Sequence, residues 1–345
     1  MDAKEVRCME VEEPFKDLKI KNWMILEDIS ERQPCVMCKK SRKYFCYNCY
    51  IPVQSLQGQV PVVKLPIKID IIKHSREIDG KSTAVHAAVL APDDVNIYTY
   101  PCIPNYGSGE RVVLVFPGKD AVSVENLFDL VWELGSGSGE PRAKRINVGT
   151  KFPISKAVFI DSTWNQSRGI YKDQRVRDLP CVVLQSRISQ FWRHQNGSPR
   201  WYLATIEAIH QFLVELHTVA WNRNSGHVRA ETLEVQASRN GHNVMQVSPC
   251  VKAFTNEVSD RYVKQDTSTA DNTSCGTTYE TGSGEHSSNP GCVGNEHSKI
   301  TNDCESFGPY RGEYDNLLFF FCYMYSKIHT LYNHEDLRAY KRPLK

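Results

Sequence analysis

The sequence lacks a long apolar run, an excess of one charge and any internal repeat. Its 42 Lys and Arg residues stand against 40 Asp and Glu, a net charge of +2 over 345 residues. A nucleic acid would therefore have to be held by local basic patches. The longest apolar run, 317–325, is too short for a bilayer, and the first seven residues contain no apolar segment of a signal peptide. We expect an intracellular protein with no membrane partner, in the nucleus or alternatively in the cytoplasm.

Alternating strand and helix patterns predict an α/β fold with a mainly parallel sheet. Apolar residues make up 41% of the chain and charged residues 24%, as in ordinary globular domains. Short β-branched runs predict strands at 67–72, 95–100, 112–116, 157–160 and 181–184. Helical patterns lie at 123–134, 163–171, 203–219 and from 314 to about 332. Strands that alternate with helices favour parallel pairing.

Two stretches interrupt these patterns. Glycine and serine alternate over 135–139, which predicts a flexible surface loop. Residues 222–308 are rich in Ser, Thr, Asn, Gly and His, and we expect a disordered insertion there. The predicted organisation is an N-terminal segment (1–33), a cysteine module (34–66), an α/β domain split by the insertion (67–221 and 309–335), and a tail (336–345).

Four of the twelve cysteines form two Cys-x-x-Cys pairs, Cys35 with Cys38 and Cys46 with Cys49. Four thiolates at this spacing suit tetrahedral Zn²⁺, so we predict a structural zinc site in a zinc-ribbon-like module. The alternative is a set of reduced structural cysteines.

The loop between the two cysteine pairs is basic and aromatic. Cations beside rings suit contact with RNA phosphates and stacking on unpaired bases. The alternative is a solvated loop over a small core, with Phe45 simply buried. The predicted RNA-binding residues of this loop are Lys39, Lys40, Arg42 and Lys43.

An acidic residue, Asp161, stands at the carboxyl end of the apolar run 157–160. Open parallel sheets bind ligands at that edge, so this carboxylate is well placed for chemistry. Asp, Ser and Thr are also ordinary helix caps, and a helical pattern follows. Asp161 is thus either a reactive group or a cap.

The segment Ile160-Asp161-Ser162-Thr163-Trp164 resembles the signature of the DTW-domain family, the tRNA-uridine aminocarboxypropyltransferases. Other segments are similar to family motifs, in the family's order: His74-Ser75-Arg76-Glu77 with Lys81-Ser82-Thr83, Phe116-Pro117-Gly118, Phe191-Trp192-Arg193-His194-Gln195, Leu203-Ala204-Thr205-Ile206-Glu207-Ala208, and Tyr314-Asp315-Asn316-Leu317-Leu318. Ordered motifs behind a cysteine module are far more specific than one tetrapeptide. The resemblance covers 34–220 and 309–335. It departs at the insertion and at Ala204, where the family has serine.

The resemblance implies a SPOUT-like fold, in which a C-terminal knot binds S-adenosylmethionine (SAM). It also implies transfer of the 3-amino-3-carboxypropyl group of SAM to N3 of a uridine in tRNA, with release of methylthioadenosine. SAM is then the co-substrate, zinc a structural metal and tRNA the partner, while the oligomeric state stays open.

Individual roles follow from the same resemblance. Asp161 is the expected base for the N3 proton, with Thr163 and Trp164 beside it; capping, a ribose contact and core packing are the alternatives. Glu207 either contacts SAM or orders the first turn of its helix. His74 could instead be a histidine that simply ends its strand, and the basic residues near the aromatic motif could form a solvated rim over a buried aromatic cluster. The expected SAM contacts are Phe116, Pro117, Leu179, Tyr202, Leu203, Thr205 and Glu207, and the further RNA contacts are His74, Arg187, Arg193 and His194.

Two other functions remain open from the sequence. A SAM-dependent RNA methyltransferase of the same broad fold would share the pocket but present the methyl group. A non-catalytic zinc-ribbon RNA-binding protein would have lost the pocket, for which Ala204 and the insertion leave room.

Overall fold

A six-stranded sheet, in which all neighbouring strands run parallel, forms the centre of the molecule. The computed structural model describes residues 14–107, 109–130, 152–194, 198–225 and 307–341. The strands of the sheet are β5 (Lys68–Lys73), β6 (Val95–Thr99), β7 (Val112–Val115), β8 (Val122–Ser123), β9 (Lys156–Asp161) and β10 (Cys181–Val183). Their spatial order is β6–β5–β9–β7–β10–β8, so β9 lies between β5 and β7.

Short elements surround this sheet. Four two-residue strands belong to the cysteine module: β1 (Gln33–Pro34), β2 (Ser41–Arg42), β3 (Phe45–Cys46) and β4 (Ile51–Pro52). The α-helices are α1 (Ala84–Leu90), α2 (Val124–Leu127), α3 (Trp164–Tyr171), α4 (Gln174–Arg177), α5 (Thr205–Asn224) and α6 (Phe319–Leu331). Single 3₁₀ turns span Trp23–Leu26, Gln54–Leu56, Asp79–Lys81, Asp315–Leu318 and His334–Asp336. In the described ranges, none of the helices combines the length and apolarity that crossing a membrane requires.

The two faces of the sheet carry separate apolar layers because successive strand residues point to opposite sides. On one face, Ile71 and Phe159 join the layer formed with α1, α5 and α6. On the other face, Ile72 and Val158 join residues of α3 and α4. Both faces are covered, which explains why the central strands are near-continuous apolar runs.

The helix α6 brings the end of the chain back to its beginning. Phe319, Phe320 and Phe321 are fully buried, and Phe15 meets the ring of Phe321 edge-on at 6.1 Å. The backbone N–H of Lys19 donates to Asp315 Oδ2 at 2.8 Å, just before α6. The N-terminal and C-terminal segments therefore share one apolar layer.

The predicted strands are confirmed to within about one residue, and so is their parallel pairing. The helices predicted at 163–171 and 203–219 are α3 and α5. The predicted helix 123–134 is confirmed only at Val124–Leu127, and its extension was wrong in the described part, because a turn follows at 128–129. The predicted C-terminal helix divides into the 3₁₀ turn Asp315–Leu318 and α6.

Two features differ from the sequence-based expectation. The helix α1 was not predicted, because all of its seven residues are buried and no polar face gives it a period. The helix α5 continues to Asn224, so the insertion cannot begin at 222. The expected disorder of the insertion and of the 135–139 loop concerns residues outside the described ranges and stays a prediction.

Candidate active site and metal centre

Asp161 ends β9 at the carboxyl edge of the sheet, and the residue is 5% exposed. The hydroxyl of Ser82 donates to Oδ2 at 2.7 Å, and the hydroxyl of Thr205 donates to Oδ1 at 2.6 Å. These donors precede α1 and open α5, two helices that are distant in sequence. Each carboxylate oxygen is thus held by one hydroxyl group.

The surroundings of Asp161 make it a stronger base than a free aspartate. Burial raises the pKa of Asp161, and the hydrogen bonds from Thr205 and Ser82, with the positive charge of Lys73, oppose that rise. Lys73 is the register neighbour of Asp161 on β5 and forms an ion pair with Asp79. A carboxylate with a raised pKa can accept a proton from a weakly acidic N–H group.

Aromatic rings line the sheet edge beside Asp161. Trp164 lies 4.2 Å from Tyr202 and 6.3 Å from Phe116, measured between ring centroids. Phe116 stacks on Tyr171 at 4.6 Å. Trp164 is neither fully buried nor fully exposed, so it packs against these neighbours and still presents part of its surface. Such a row of rings can hold a planar base.

Thr163 occupies the N-cap position of α3 and is exposed. Its backbone N–H donates to Gln166 Oε1 at 3.2 Å. These contacts agree with the capping interpretation of Thr163.

The predicted SAM contacts do not all meet at one place. Phe116 and Pro117 follow β7 at the carboxyl edge, and Tyr202 and Leu203 lead into α5 beside Thr205. Leu179 lies before β10 and packs in the layer under α3 and α4. Leu179 is therefore at the opposite end of its strand from the residues that border Asp161.

A close approach fixes the loop after β7. A Cβ atom at Gly118 would lie 2.8 Å from Cys181 Sγ and 3.0 Å from the Tyr171 hydroxyl. No side chain fits there without displacement of its neighbours, so glycine lets this loop pack tightly against β10.

Glu207 is 1% exposed and faces the protein. Its carboxylate accepts the backbone N–H groups of Ala204 and Gln190, both at 2.8 Å, and the Ser189 hydroxyl at 2.6 Å. This arrangement supports the ordering role and speaks against a direct SAM contact by Glu207. Ala204 is the N-cap residue of α5, so the serine hydroxyl that is missing here would be a helix cap.

Two of the predicted RNA-facing residues of the α/β domain border the same edge. The backbone N–H of His74 donates to the Asp161 carbonyl at 3.0 Å. The Arg193 guanidinium donates to the Lys81 carbonyl, one residue before Ser82. His194 is exposed, and Arg187 is half-buried. His74 and Arg193 therefore lie on the two segments that enclose Asp161.

The four cysteines of the module converge. Their Sγ atoms all lie within 4.8 Å of one another, and Cys38 Sγ is 3.6 Å from Cys46 Sγ. Tetrahedral zinc with Zn–S bonds of about 2.3 Å would separate its sulfur ligands by roughly 3.8 Å. This cluster fits zinc by donor chemistry and by distance.

The two cysteine pairs form the same turn. The N–H of Lys39 donates to the Cys35 carbonyl at 2.9 Å, and the N–H of Tyr50 donates to the Cys46 carbonyl at 2.8 Å. Lys39 and Tyr50 both have a left-handed backbone, with φ of 59° and 57°. Each pair thus bends the chain sharply after its second cysteine and turns both thiols toward the common centre.

Arg42 is part of the module and not of its surface, which is a correction to the predicted RNA-binding set. It is 5% exposed, and its guanidinium lies 3.7 Å above the Tyr47 ring. Burial would raise the pKa of Cys46, but the backbone N–H groups of Asn48 and Cys49, together with Arg42, lower it to about 6. Arg42 therefore favours the thiolate form of Cys46 within the cysteine cluster. Lys39 and Lys40 are exposed, and Lys43 is partly exposed.

The module is packed onto the α/β domain through its aromatic residues. Phe45 lies 4.6 Å from Phe320 and 5.5 Å from His86. The hydroxyls of Tyr44 and Tyr323 are hydrogen-bonded at 2.7 Å. Phe45 is therefore a packing residue, as in the alternative interpretation of this loop.

One site residue was missed from the sequence. Ser82 was seen within a motif, but its contact with Asp161 spans 79 positions of the chain, so no local pattern could assign it. The available signal was a Ser-Thr pair ahead of an apolar stretch, which is typical of a helix start.

Comparison with known proteins gives consistent matches. The sequence profile of the DTW domain matches residues 43–236. The tRNA-uridine aminocarboxypropyltransferase 1 of Xenopus tropicalis is 44% identical over an alignment of 230 residues that covers 59% of this chain and 78% of that protein. The proteins of the same name from Mus musculus and Homo sapiens are both 42% identical, over alignments of 231 and 233 residues that cover 60% of this chain and 76% of theirs. No solved structure gives a significant match.

Proposed function

Since the chain belongs to the DTW-domain family, we propose that it is a tRNA-modifying transferase. It moves the 3-amino-3-carboxypropyl group of SAM to N3 of a uridine in tRNA. Relatives of which the chain covers about three quarters are enzymes named for this transfer to tRNA uridine. The observation that carries the proposal is the buried carboxylate of Asp161 at the carboxyl edge of the sheet.

Asp161 removes the obstacle to the reaction at the uracil. N3 of uridine carries a proton and has no nucleophilic lone pair until that proton leaves. Asp161 accepts the proton, N3 bonds to the γ-carbon of the methionine moiety, and the carbon–sulfur bond breaks. The bonding electrons go to the sulfonium sulfur, and methylthioadenosine is released. The raised pKa of Asp161 supports this role because it brings the carboxylate closer to the basicity that proton transfer requires.

The rings beside Asp161 orient the two substrates. Phe116, Trp164 and Tyr202 offer flat surfaces for adenine or uracil. Orientation decides the product, since the sulfonium of SAM has three carbons that a nucleophile could attack. His74 and Arg193 flank the same edge and suit the tRNA backbone.

The rest of the proposal concerns architecture and location. A SPOUT-like knot is part of the proposal because the family resemblance implies it, and the cysteine cluster would hold a structural zinc ion through Cys35, Cys38, Cys46 and Cys49. Activity in the nucleus is part of the proposal.

The direct test incubates purified protein and SAM with unmodified tRNA, followed by nucleoside mass spectrometry. We expect an N3-substituted uridine with the wild type and its loss in Asp161→Asn, which keeps the side-chain shape but cannot act as a base. A variant that makes full product would refute the base assignment. Failure of the folded, zinc-loaded wild type to make any product would refute the proposed enzymatic function.

The small-molecule product separates this function from methyl transfer. Methylthioadenosine in the supernatant accompanies aminocarboxypropyl transfer, whereas S-adenosylhomocysteine accompanies methylation. Detection of S-adenosylhomocysteine with a methylated uridine would replace the proposed reaction by the alternative one.

A further inference from the structure

Three separate segments meet at the Asp161 carboxylate. The strand β9 delivers Asp161, the segment before α1 delivers Ser82, and the first residue of α5 is Thr205. Each hydroxyl has a single hydrogen and gives it to a different oxygen, at 2.7 Å from Ser82 and 2.6 Å from Thr205. Both hydroxyls are therefore committed as donors.

Each donor is itself fixed. Ser82 Oγ also accepts the backbone N–H of Ala84 at 3.1 Å, which sets its rotamer. Thr205 is β-branched and lies in the first turn of α5, where its χ1 is restricted. The Asp161 carboxylate thus meets two rigid hydroxyl groups.

The two helix starts are also joined without Asp161. The backbone N–H of Ile206 donates to Thr83 Oγ1 at 3.3 Å, and Arg193 is bonded to the Lys81 carbonyl. Loss of the Ser82 hydroxyl alone would leave α1 and α5 connected. Its removal takes away one donor to Asp161 and the acceptor of the Ala84 N–H group, and it leaves the link between the two helices in place.

We propose that Ser82 and Thr205 are positioning residues that hold the two carboxylate oxygens of Asp161, so that a defined lone pair faces the uracil. The inference rests on the proposed function of Asp161 as the base. It assigns the Thr205 hydroxyl to the carboxylate instead of to SAM, and it adds Ser82 to the site. Both residues act through Asp161, and neither of them is assigned a contact with the uracil or with SAM.

Charged and titratable groups around Asp161 also contribute to its pKa, which sets the pH dependence of activity in the wild type and in variants that lack one hydroxyl donor. Lys73 on β5 lowers the pKa of Asp161, and Asp79 raises it. The negative charge of Asp161 in turn raises the pKa values of Glu77 and Tyr50. All four remain in a serine or threonine variant. The loss of one donor then raises the pKa of Asp161 relative to the wild type, because both hydrogen bonds favour the ionised form.

The experiment measures aminocarboxypropyl transfer against pH for Ser82→Ala, Thr205→Ala and Thr205→Ser. The matched controls are Ser75→Ala, an exposed serine of the same segment, and Thr218→Ala, an exposed threonine of α5. We expect both alanine variants to lose roughly 10- to 100-fold in kcat/KM, as for a misplaced catalytic group. In their pH–rate profiles, the fall in activity on the acid side should move to higher pH, while the affinity for SAM stays unchanged. Thr205→Ser keeps the hydroxyl and should recover most of the activity that Thr205→Ala loses, and both controls should behave as the wild type.

Several results would overturn the assignment. An unchanged acid side of the pH–rate profile in both alanine variants would leave the two hydroxyls a purely structural role, and a loss of SAM affinity with unchanged kcat would make them cofactor contacts. Should Ser82→Ala fail to fold, the pair Thr205→Ala and Thr205→Ser decides the matter alone. An inactive wild type would instead refute the proposed function, so the two failures are distinguishable.

Discussion

At the scale of single residues, the ionised form of Asp161 that proton transfer requires lowers the stability of the fold. Its burial disfavours the ionised form that a base needs, and the two hydroxyl donors only partly compensate. A folded-state pKa above the unfolded value gives stability that is complete below the unfolded pKa. That stability is lost as pH rises through the folded pKa. At neutral pH the ionised Asp161 therefore destabilises the fold.

We predict that Asp161→Asn is more stable than the wild type at neutral pH, although it is inactive. The expected gain is about 0.5–2 kcal/mol, the usual range when a strained functional group is replaced. One hydroxyl can keep donating to the amide oxygen, and the other can turn its hydrogen away and accept from the amide N–H group, so both contacts of residue 161 are kept. Urea unfolding at pH 7.5 and at pH 4 checks the sign, since the gain should shrink at the lower pH.

The control for this measurement is Asp93→Asn, a change at an exposed aspartate. It should leave the free energy of unfolding unchanged at both pH values. A wild type that is more stable than Asp161→Asn at pH 7.5 would mean that the ionised carboxylate contributes to the fold, contrary to the burial argument.

At the scale of elements, the contacts of Asp315 hold the turn before α6 against α5. Asp315 is 2% exposed. It accepts the Tyr310 hydroxyl at 2.6 Å, lies 2.9 Å from His210 Nε2, and accepts the backbone N–H of Lys19. Burial alone would raise the pKa of Asp315, but these partners lower it. Its stabilising contribution is thus present above the unfolded pKa and is lost as pH falls through the folded one.

We predict that Asp315→Asn destabilises the protein by about 2–4 kcal/mol at neutral pH, because it removes a buried charge and turns one acceptor into a donor that faces the Lys19 N–H. Thermal unfolding should show a fall in Tm of roughly 5–10 °C. The difference should begin to narrow below about pH 4, the ordinary pKa of aspartate in an unfolded chain, and should go on narrowing until the folded carboxylate takes up its proton at a lower pH.

The comparison variant is Asp28→Asn, which lies on the exposed surface and should not change Tm. An equal Tm for Asp315→Asn and the wild type at neutral pH would show that the hydrogen bonds of Asp315 do not fasten this turn.

The elements also show which parts of the fold a sequence can predict. The strands were predictable because β-branched runs buried on both faces have a plain signature, and the position of Asp161 followed because parallel strands end at one edge. Ser82 was not predictable as its partner, and Arg42 was misjudged as a surface cation. In both cases the deciding contact depends on tertiary packing, which local patterns do not encode.

At the scale of the whole molecule, the cysteine module packs directly against the α/β domain. Tyr47 packs against Gly80, where an added Cβ would lie 3.5 Å from the tyrosine ring. Gly80 belongs to the turn Asp79–Lys81, which leads directly to Ser82. Through Phe45 and Tyr44 the same module contacts α1 and α6. A metal that orders the module therefore also supports the segment that positions Asp161.

We predict that zinc removal lowers stability and loosens this segment together. Chelation, or Cys46→Ser, should reduce Tm and increase amide hydrogen exchange in the turn Asp79–Lys81 and in α6, because their packing partners lose the metal that holds them. Cys102→Ser is the matched control, since Cys102 is exposed and outside the cluster, and it should match the wild type in zinc content, Tm and exchange. If zinc analysis shows that the metal has been removed and amide exchange rises only within the module, the turn Asp79–Lys81 and α6 keep their order without the metal. In that case the order around Ser82 comes from the α/β domain alone.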